Sequence, residues 1–294
     1  MCNIFSKKNR HIRILNYEQH TRPLFIIPGT GGKCHSFRML GRMFRNTCSL
    51  YGLDMMGAGR GEAPLKDIPG IAAQNIAWIR EVQPSGPYRI IGHSFGAYIL
   101  LEMIKQLEAA GDALDFAIVL DQALEKTFNP PLECSEADFM MFLAQGYFES
   151  FKVLAQPYPE WVLEMKAHID TLPPAEMMPY ITACISDRIP AVAGKVEYFS
   201  RLVNLRFYND TMTYVPAGKI YAPVILLRAG KNNWQGMEET LGWSAFSDNI
   251  TVKTVPGNHY NLMRGKNAIE VVHVIKNSIA ACERSSAFPV VPVL

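Results

Sequence analysis

With 294 residues, 49% hydrophobic and 19% charged, the chain holds enough apolar material for one sizeable α/β domain or two small ones. A formal net charge of +2 is too small to suggest a nucleic-acid partner, no apolar run approaches the ~18 residues of a membrane span, and the N-terminus carries no secretory h-region. Cys2, Cys34, Cys48, Cys134, Cys184 and Cys282 form no C-x-x-C pair and no zinc-ligand spacing, so they read as reduced thiols of a cytoplasmic protein, with neither a disulfide framework nor a metal site.

The first twenty residues are polar and basic, and they read as a leader or an edge strand. The cluster from Lys7 to Arg13 is taken as solvated, with a docking contact as the minority reading. Leu24-Phe25-Ile26-Ile27 has the pattern of a buried strand and is stopped by Pro28-Gly29-Thr30-Gly31-Gly32. Ser49 to Leu53 reads as a second strand, followed by a loop with Gly57, Gly59, Gly61 and Pro64. Ile71, Ile76, Ile79 and Val82 recur at helical spacing. Pro84-Ser85-Gly86-Pro87 then turns the chain into the apolar run Tyr88-Arg89-Ile90-Ile91. That run leads into Gly92-His93-Ser94-Phe95-Gly96, and an amphipathic helix is predicted from Ala97 to Leu107.

A further strand is predicted at Phe116 to Leu120, closed by Asp121. From about 130 to 216 the strand signal lapses, and Met, Phe, Tyr and Pro dominate. This stretch reads as short helices inserted between two strands, either as extra core or, preferred, as a helical lid over an acyl pocket, since Met and aromatic side chains adapt to flexible apolar ligands. Strands return at Val224 to Leu227 and Ile250 to Val255, and a last helix carries Ile269, Val272, Val274, Ile275 and Ile279. Strands alternating with helices imply βαβ units, and nearly continuous apolar strands imply a mostly parallel sheet covered on both faces. The whole of 1–294 is expected to be a single domain, with 130–216 as an insertion.

Strand, G-x-S-x-G and helix in succession form a nucleophile elbow, in which a sharp turn stands a serine hydroxyl above the sheet. A serine needs a base to take its proton, and the base needs an orienting carboxylate. Of the seven histidines, His259 has the right chain order and the right setting, a loop directly after a late strand. His93, beside the nucleophile, is read as a structural neighbour turned away from Ser94. The loop after Val224–Leu227, where many hydrolases of this architecture carry the acid, runs Arg228-Ala229-Gly230-Lys231-Asn232-Asn233 and has no carboxylate. The first choice for the acid is therefore Asp121, at the carboxyl end of a parallel strand, with Glu238 in reserve. Two backbone N–H groups, those of Thr30 and Phe95, are the candidate oxyanion-hole donors.

At these residues the chain resembles the type I thioesterase domains of non-ribosomal peptide and polyketide synthases, and the fatty-acid synthase thioesterase. The resemblance rests on Gln83-Pro84-Ser85-Gly86-Pro87-Tyr88-Arg89-Ile90-Ile91-Gly92-His93-Ser94-Phe95-Gly96-Ala97, on Glu102-Met103, Gln106-Leu107-Glu108 and Gly111, and on Leu24 to Gly32, Tyr51 to Asp54 and Pro256 to His259. It is specific over about 21–125 and 220–265 and vague across the lid. It implies the α/β-hydrolase fold and places the family's acid on Asp121. It also implies that Ser94 takes an acyl or peptidyl chain from the phosphopantetheine thioester of a carrier protein, with release by hydrolysis or macrocyclisation. The resemblance implies no cofactor beyond that carrier arm. The chain holds no G-x-D-S attachment motif, so the carrier is expected in trans or as a removed neighbouring domain, and Ala97 stands where glycine is commoner. A general carboxylesterase or lipase, and a non-catalytic carrier-binding module, are the competing readings. The acid position argues against the first, and the complete Ser94, Asp121 and His259 set against the second.

Overall fold

The computed structural model describes residues 9–29, 32–58, 62–65, 67–124, 137, 141, 144, 154, 157–190, 214–231, 234, 237–259 and 261–287. Among the described residues seven strands form one sheet: β1 (Ile12–Asn16), β2 (Leu24–Ile27), β3 (Leu50–Leu53), β4 (Tyr88–His93), β5 (Leu114–Leu120), β6 (Val224–Ala229) and β7 (Ile250–Val255). Their order is β1-β3-β2-β4-β5-β6-β7. Only β1 runs antiparallel, against β3; the other pairs are parallel.

Side chains alternate across the sheet with the period of two that a strand imposes. Phe25, Ile27, Leu53, Ile90, Ala117, Val119 and Leu226 point into one apolar cluster. It is closed by α2 (Ile68–Val82) and α3 (Gly96–Ala109). Leu24, Ile26, Leu50, Ile91, Ile118, Leu120 and Leu227 point the other way, into a cluster closed by α1 (Arg38–Met43), which follows a 3-10 turn at Cys34–Phe37, and by the C-terminal helix. Both faces of the inner strands are thus covered, and their sequences are mostly apolar for that reason.

Helix α2 begins three residues before the first periodic isoleucine. Asp67 caps it, its carboxylate accepting from the Gly70 N–H at 2.6 Å, and Pro69 lies in the first turn, where a missing N–H costs nothing. Between β5 and β6 the described residues hold two helices, α4 (Glu160–Ile169) and α5 (Pro174–Arg188), and no strand. They close a third apolar cluster, separate from the other two, which includes Met141, Met165, Met177 and Met178. The C-terminal helix, α6, spans Asn267–Ala287. No helix among the described residues is long and apolar enough to cross a membrane. Cys34 and Cys48 are buried thiols, and burial pushes Cys48 up to about 12, which keeps it protonated and inert.

Candidate active site

Parallel register sets the site. His93 at the end of β4 pairs with Leu120 at the end of β5, and Leu120 pairs with Leu227 in β6. Ser94 and Asp121, the next residues along, therefore emerge side by side at the carboxyl edge of the sheet. The Ser94 N–H donates to the Leu120 carbonyl (3.3 Å) and the Asp121 N–H to the Leu227 carbonyl (2.8 Å). Both residues leave their strands in the left-handed region, with φ +53 for Ser94 and φ +52 for Asp121. Such backbone is rare and costly for a residue with a Cβ, and it turns the chain abruptly so that the side chain stands clear of the strand.

The elbow glycines serve a different end from the turn itself. A Cβ on Gly96 would lie 2.6 Å from the Pro28 carbonyl oxygen and 2.7 Å from that of Ile27; on Gly92 it would lie 2.7 Å from the Gly96 oxygen. Glycine is required because β2, β4 and the start of α3 touch backbone to backbone, while the left-handed conformation falls on the serine. Gly29 has the same character, since its Cβ would come 3.0 Å from the Cβ of Ser94. Phe95 follows the serine in helical conformation at the N-terminal end of α3, the positive end of that helix's dipole.

His259 arrives from the last strand. Gly257, at φ +99, reverses the chain after β7. Asn258 and Asn261 then exchange backbone-to-side-chain hydrogen bonds at 2.8 and 3.1 Å, and the Lys231 N–H donates to the Gly257 carbonyl at 2.8 Å. The loop is thus held from within and from β6. With Nδ1 protonated, the imidazole donates to the Asp121 carboxylate Oδ2 at 3.1 Å and to the Asp121 carbonyl at 3.0 Å. That tautomer leaves the Nε2 lone pair to accept from the Ser94 hydroxyl at 2.9 Å. Asp121 is wholly buried and the His259 side chain 21% exposed, so the carboxylate is sealed and the base is reachable. The structure therefore brings Ser94, His259 and Asp121 into one hydrogen-bonded relay. Thr30 lies outside the described residues.

Three side chains go beyond or against the reading of the sequence. Glu238, held in reserve as the acid, instead accepts from the Thr240 and Ser244 hydroxyls and the Gly242 N–H; those donors hold its carboxyl below the usual range, and it organises a turn. His93 does not leave the site: its ring stacks on that of His259 (centroids 5.7 Å, planes 22° apart) and meets Phe37 edge-on. Burial, and then the neighbouring His259, push it down to about 4, so it stays neutral. Trp234 passed without notice; its indole N–H donates to Asp121 Oδ1 at 3.1 Å. Among the described residues no group of three or more His, Cys, Asp and Glu side chains is placed to hold a metal ion.

The thioesterase-domain family model matches residues 22–135, the stretch that runs from β2 past Ser94 and Asp121. Over that stretch the chain is similar to the thioesterase-domain family. Among its relatives, the indigoidine synthase of Dickeya dadantii (strain 3937) is 26% identical over 263 residues, which is 86% of this chain and 17% of that protein. The dimodular nonribosomal peptide synthase of Bacillus subtilis (strain 168) is 30% identical over 152 residues, or 51% of this chain and 6% of that protein. This chain therefore spans a fifth or less of the length of these relatives. The fold is shared with part of a four-domain nonribosomal peptide synthetase bound to AMP and glycine (TM-score 0.74, 22% identity, 91% of this chain, 20% of that one). It is shared as well with the thioesterase domain that cyclises the lipopeptide surfactin (TM-score 0.60, 15% identity, 91% and 95%). The mostly parallel sheet with helices on both faces is thus an α/β-hydrolase fold.

Proposed function

We propose that the protein is a serine thioesterase that releases an acyl, polyketide or peptidyl chain from the phosphopantetheine arm of a carrier protein. The observation that carries this reading is the continuous relay from the Ser94 hydroxyl through His259 to buried Asp121, on a chain with thioesterase-domain sequence. Ser94 Oγ attacks the thioester carbonyl as His259 Nε2 takes its proton. The developing oxyanion is met by the N–H of Phe95 and, in this reading, that of Thr30; such a donor contributes about 3–4 kcal/mol to the transition state. Collapse breaks the C–S bond, the proton on His259 passes to the departing thiol, and an acyl-Ser94 ester remains. Water then gives a free acid, or a hydroxyl or amine within the chain gives a macrocycle, His259 acting as base again. In this reading α4 and α5, within 130–216, belong to a lid that would set acyl shape and water access. No resident cofactor enters this scheme.

Incubation with a panel of acyl-N-acetylcysteamine thioesters, followed by intact-protein mass spectrometry, tests the scheme. Wild type is expected to gain the mass of the acyl group and Ser94→Ala to gain none. Asp121→Asn should acylate slower by about 10⁴-fold, as when an imidazole is left in the wrong tautomer. An acyl adduct of equal yield on Ser94→Ala would refute the assignment, and faster turnover of p-nitrophenyl esters than of any thioester would favour a general carboxylesterase.

A further inference from the structure

The two carboxylate oxygens of Asp121 face different elements. Oδ2 accepts from His259 Nδ1 at 3.1 Å. Oδ1 accepts from the Ala229 backbone N–H at 2.7 Å and from the Trp234 indole N–H at 3.1 Å. Both of these donors come from the end of β6 and the loop that follows, the loop in which the sequence offers no acid. It serves the relay all the same, by holding an acid that sits one strand earlier.

Resting on the relay proposed above, we infer that Trp234 is a positioning residue for the reaction: its indole N–H, with that of Ala229, clamps Oδ1 of Asp121 so that Oδ2 stays turned toward His259. The clamp matters because Oδ2 has a competitor. His259 Nδ1 lies 3.0 Å from the Asp121 carbonyl oxygen as well, so its single hydrogen is shared. Rotation of the carboxylate about Cβ–Cγ would hand that hydrogen to the main chain and leave the imidazole with a weaker, neutral acceptor. A main-chain donor alone fixes one direction. The second donor lies on a rigid ring system that is half-buried against the apolar cluster of α2 and α3, and it resists that rotation. The start of the loop is itself fixed, since the Arg228 guanidinium donates to the Glu239 carbonyl at 3.0 Å and the Gly230 N–H to that of Val255 at 2.8 Å.

The clamp also spreads the carboxylate's charge. With one donor removed, the negative charge is less satisfied and attracts a proton on His259 more strongly, so the acid limb of the pH–rate profile must move to higher pH. The titratable ring that faces His259 from the end of β4 is His93. It is neutral down to about pH 4 and does not titrate in the same window.

Trp234→Phe keeps an aromatic ring and removes the N–H. With an acyl-N-acetylcysteamine thioester the expected result is a kcat roughly tenfold lower, KM within about twofold, and an acid limb of kcat/KM raised by about half a pH unit. The low-field proton NMR signal of His259 Nδ1–H should shift in the same variant. Unchanged kcat with an unchanged acid limb overturns the inference. So does a loss of kcat that follows a loss of melting temperature while the limb and the low-field signal stay in place, because that is a packing effect. Wild type is first labelled with a fluorophosphonate. Failure to label Ser94 removes the relay and the clamp together, whereas a labelled wild type with an indifferent Trp234→Phe removes the clamp alone.

Discussion

Ser94, Asp121 and His93 carry the conformational and electrostatic cost of this site. The first two sit in left-handed backbone, and the third is a histidine kept uncharged beside another histidine. A neutral, half-buried imidazole has a consequence for stability. In the unfolded chain His93 takes up a proton near pH 6.5, but in the native state only near pH 4. Between those values the unfolded state binds more protons, so stability is full above about pH 6.5 and falls as the pH falls. From pH 7 to pH 5 this one ring should remove about 2 kcal/mol. Denaturant unfolding of wild type and His93→Phe at both pH values checks it: the variant keeps a ring for stacking on His259 and is expected to lose about 2 kcal/mol less over that interval. Parallel slopes for the two proteins would mean that His93 is protonated in the folded state. None of this was legible in the sequence, where the histidine next to the nucleophile looked like a bystander, because the stacking partner lies at the far end of the chain.

The elements were legible where the pattern was local. β7, at the edge of the sheet, falls on its predicted residues through its alternating pattern, and β4, β5 and β6 lie within two residues of theirs, since strands buried on both faces are mostly apolar. Helix α1 and the 3-10 turn before it went unread: six and four residues are too few for a period to show. In 130–216 the lapse of strand signal was correct for the described residues. The sequence reads there as short helices without bounds; α4 starts behind Pro159, and α5 starts at Pro174 behind Pro173. Ser94, Asp121 and His259 were legible because each follows a strand. Glu238 was the reserve to Asp121; it is Asp121 that meets His259, while Glu238 accepts from Thr240 and Ser244. The packing of α3 against β2 gives a sharp test of why an elbow needs glycine. In an isolated helix Gly96→Ala would help by about 1 kcal/mol. Here the new methyl meets the carbonyl oxygens of Pro28 and Ile27, backbone atoms that cannot rotate aside. The expected outcome is a net loss of about 1–3 kcal/mol in urea unfolding. On the proposed mechanism a lower kcat with little change in KM should accompany it, because displacing α3 moves the Phe95 N–H proposed as an oxyanion donor. An alanine variant as stable and as active as wild type would show that the helix start has room the geometry denies.

A parallel sheet has two unlike ends, and this protein uses them differently. All three relay residues stand at the carboxyl edge, as ligands and reacting groups do in open α/β sheets. At the start of β4 the chain places Arg89, almost fully buried, with its Nε 2.7 Å from Asp115 Oδ2 in β5 and its Nη1 3.3 Å from Glu283 in α6. Arg22, just before β2, donates to the same Asp115 oxygen at 2.6 Å. These charges tie two central strands to the C-terminal helix and to the N-terminal segment, at the end of the sheet away from the relay. The pair with Glu283 reaches solvent and contributes little, while the pair with Asp115 is sealed. Arg89→Met keeps most of the apolar stem and removes the charge, leaving Asp115 with Arg22 as its remaining partner among these groups. Removing one member of a buried pair costs about 3–5 kcal/mol, and the surviving partner puts the expected loss near the lower figure, about 3 kcal/mol. Urea unfolding at pH 7 measures that loss, and thioester turnover well below the unfolding midpoint measures the other half of the claim. Folded Arg89→Met should turn over within about twofold of wild type, since β4 holds Ser94 through its pairing with β2 and β5 and not through its first residues. A variant of full stability but impaired turnover would mean that the two ends of the sheet are coupled, and that the far charges help to set the elbow.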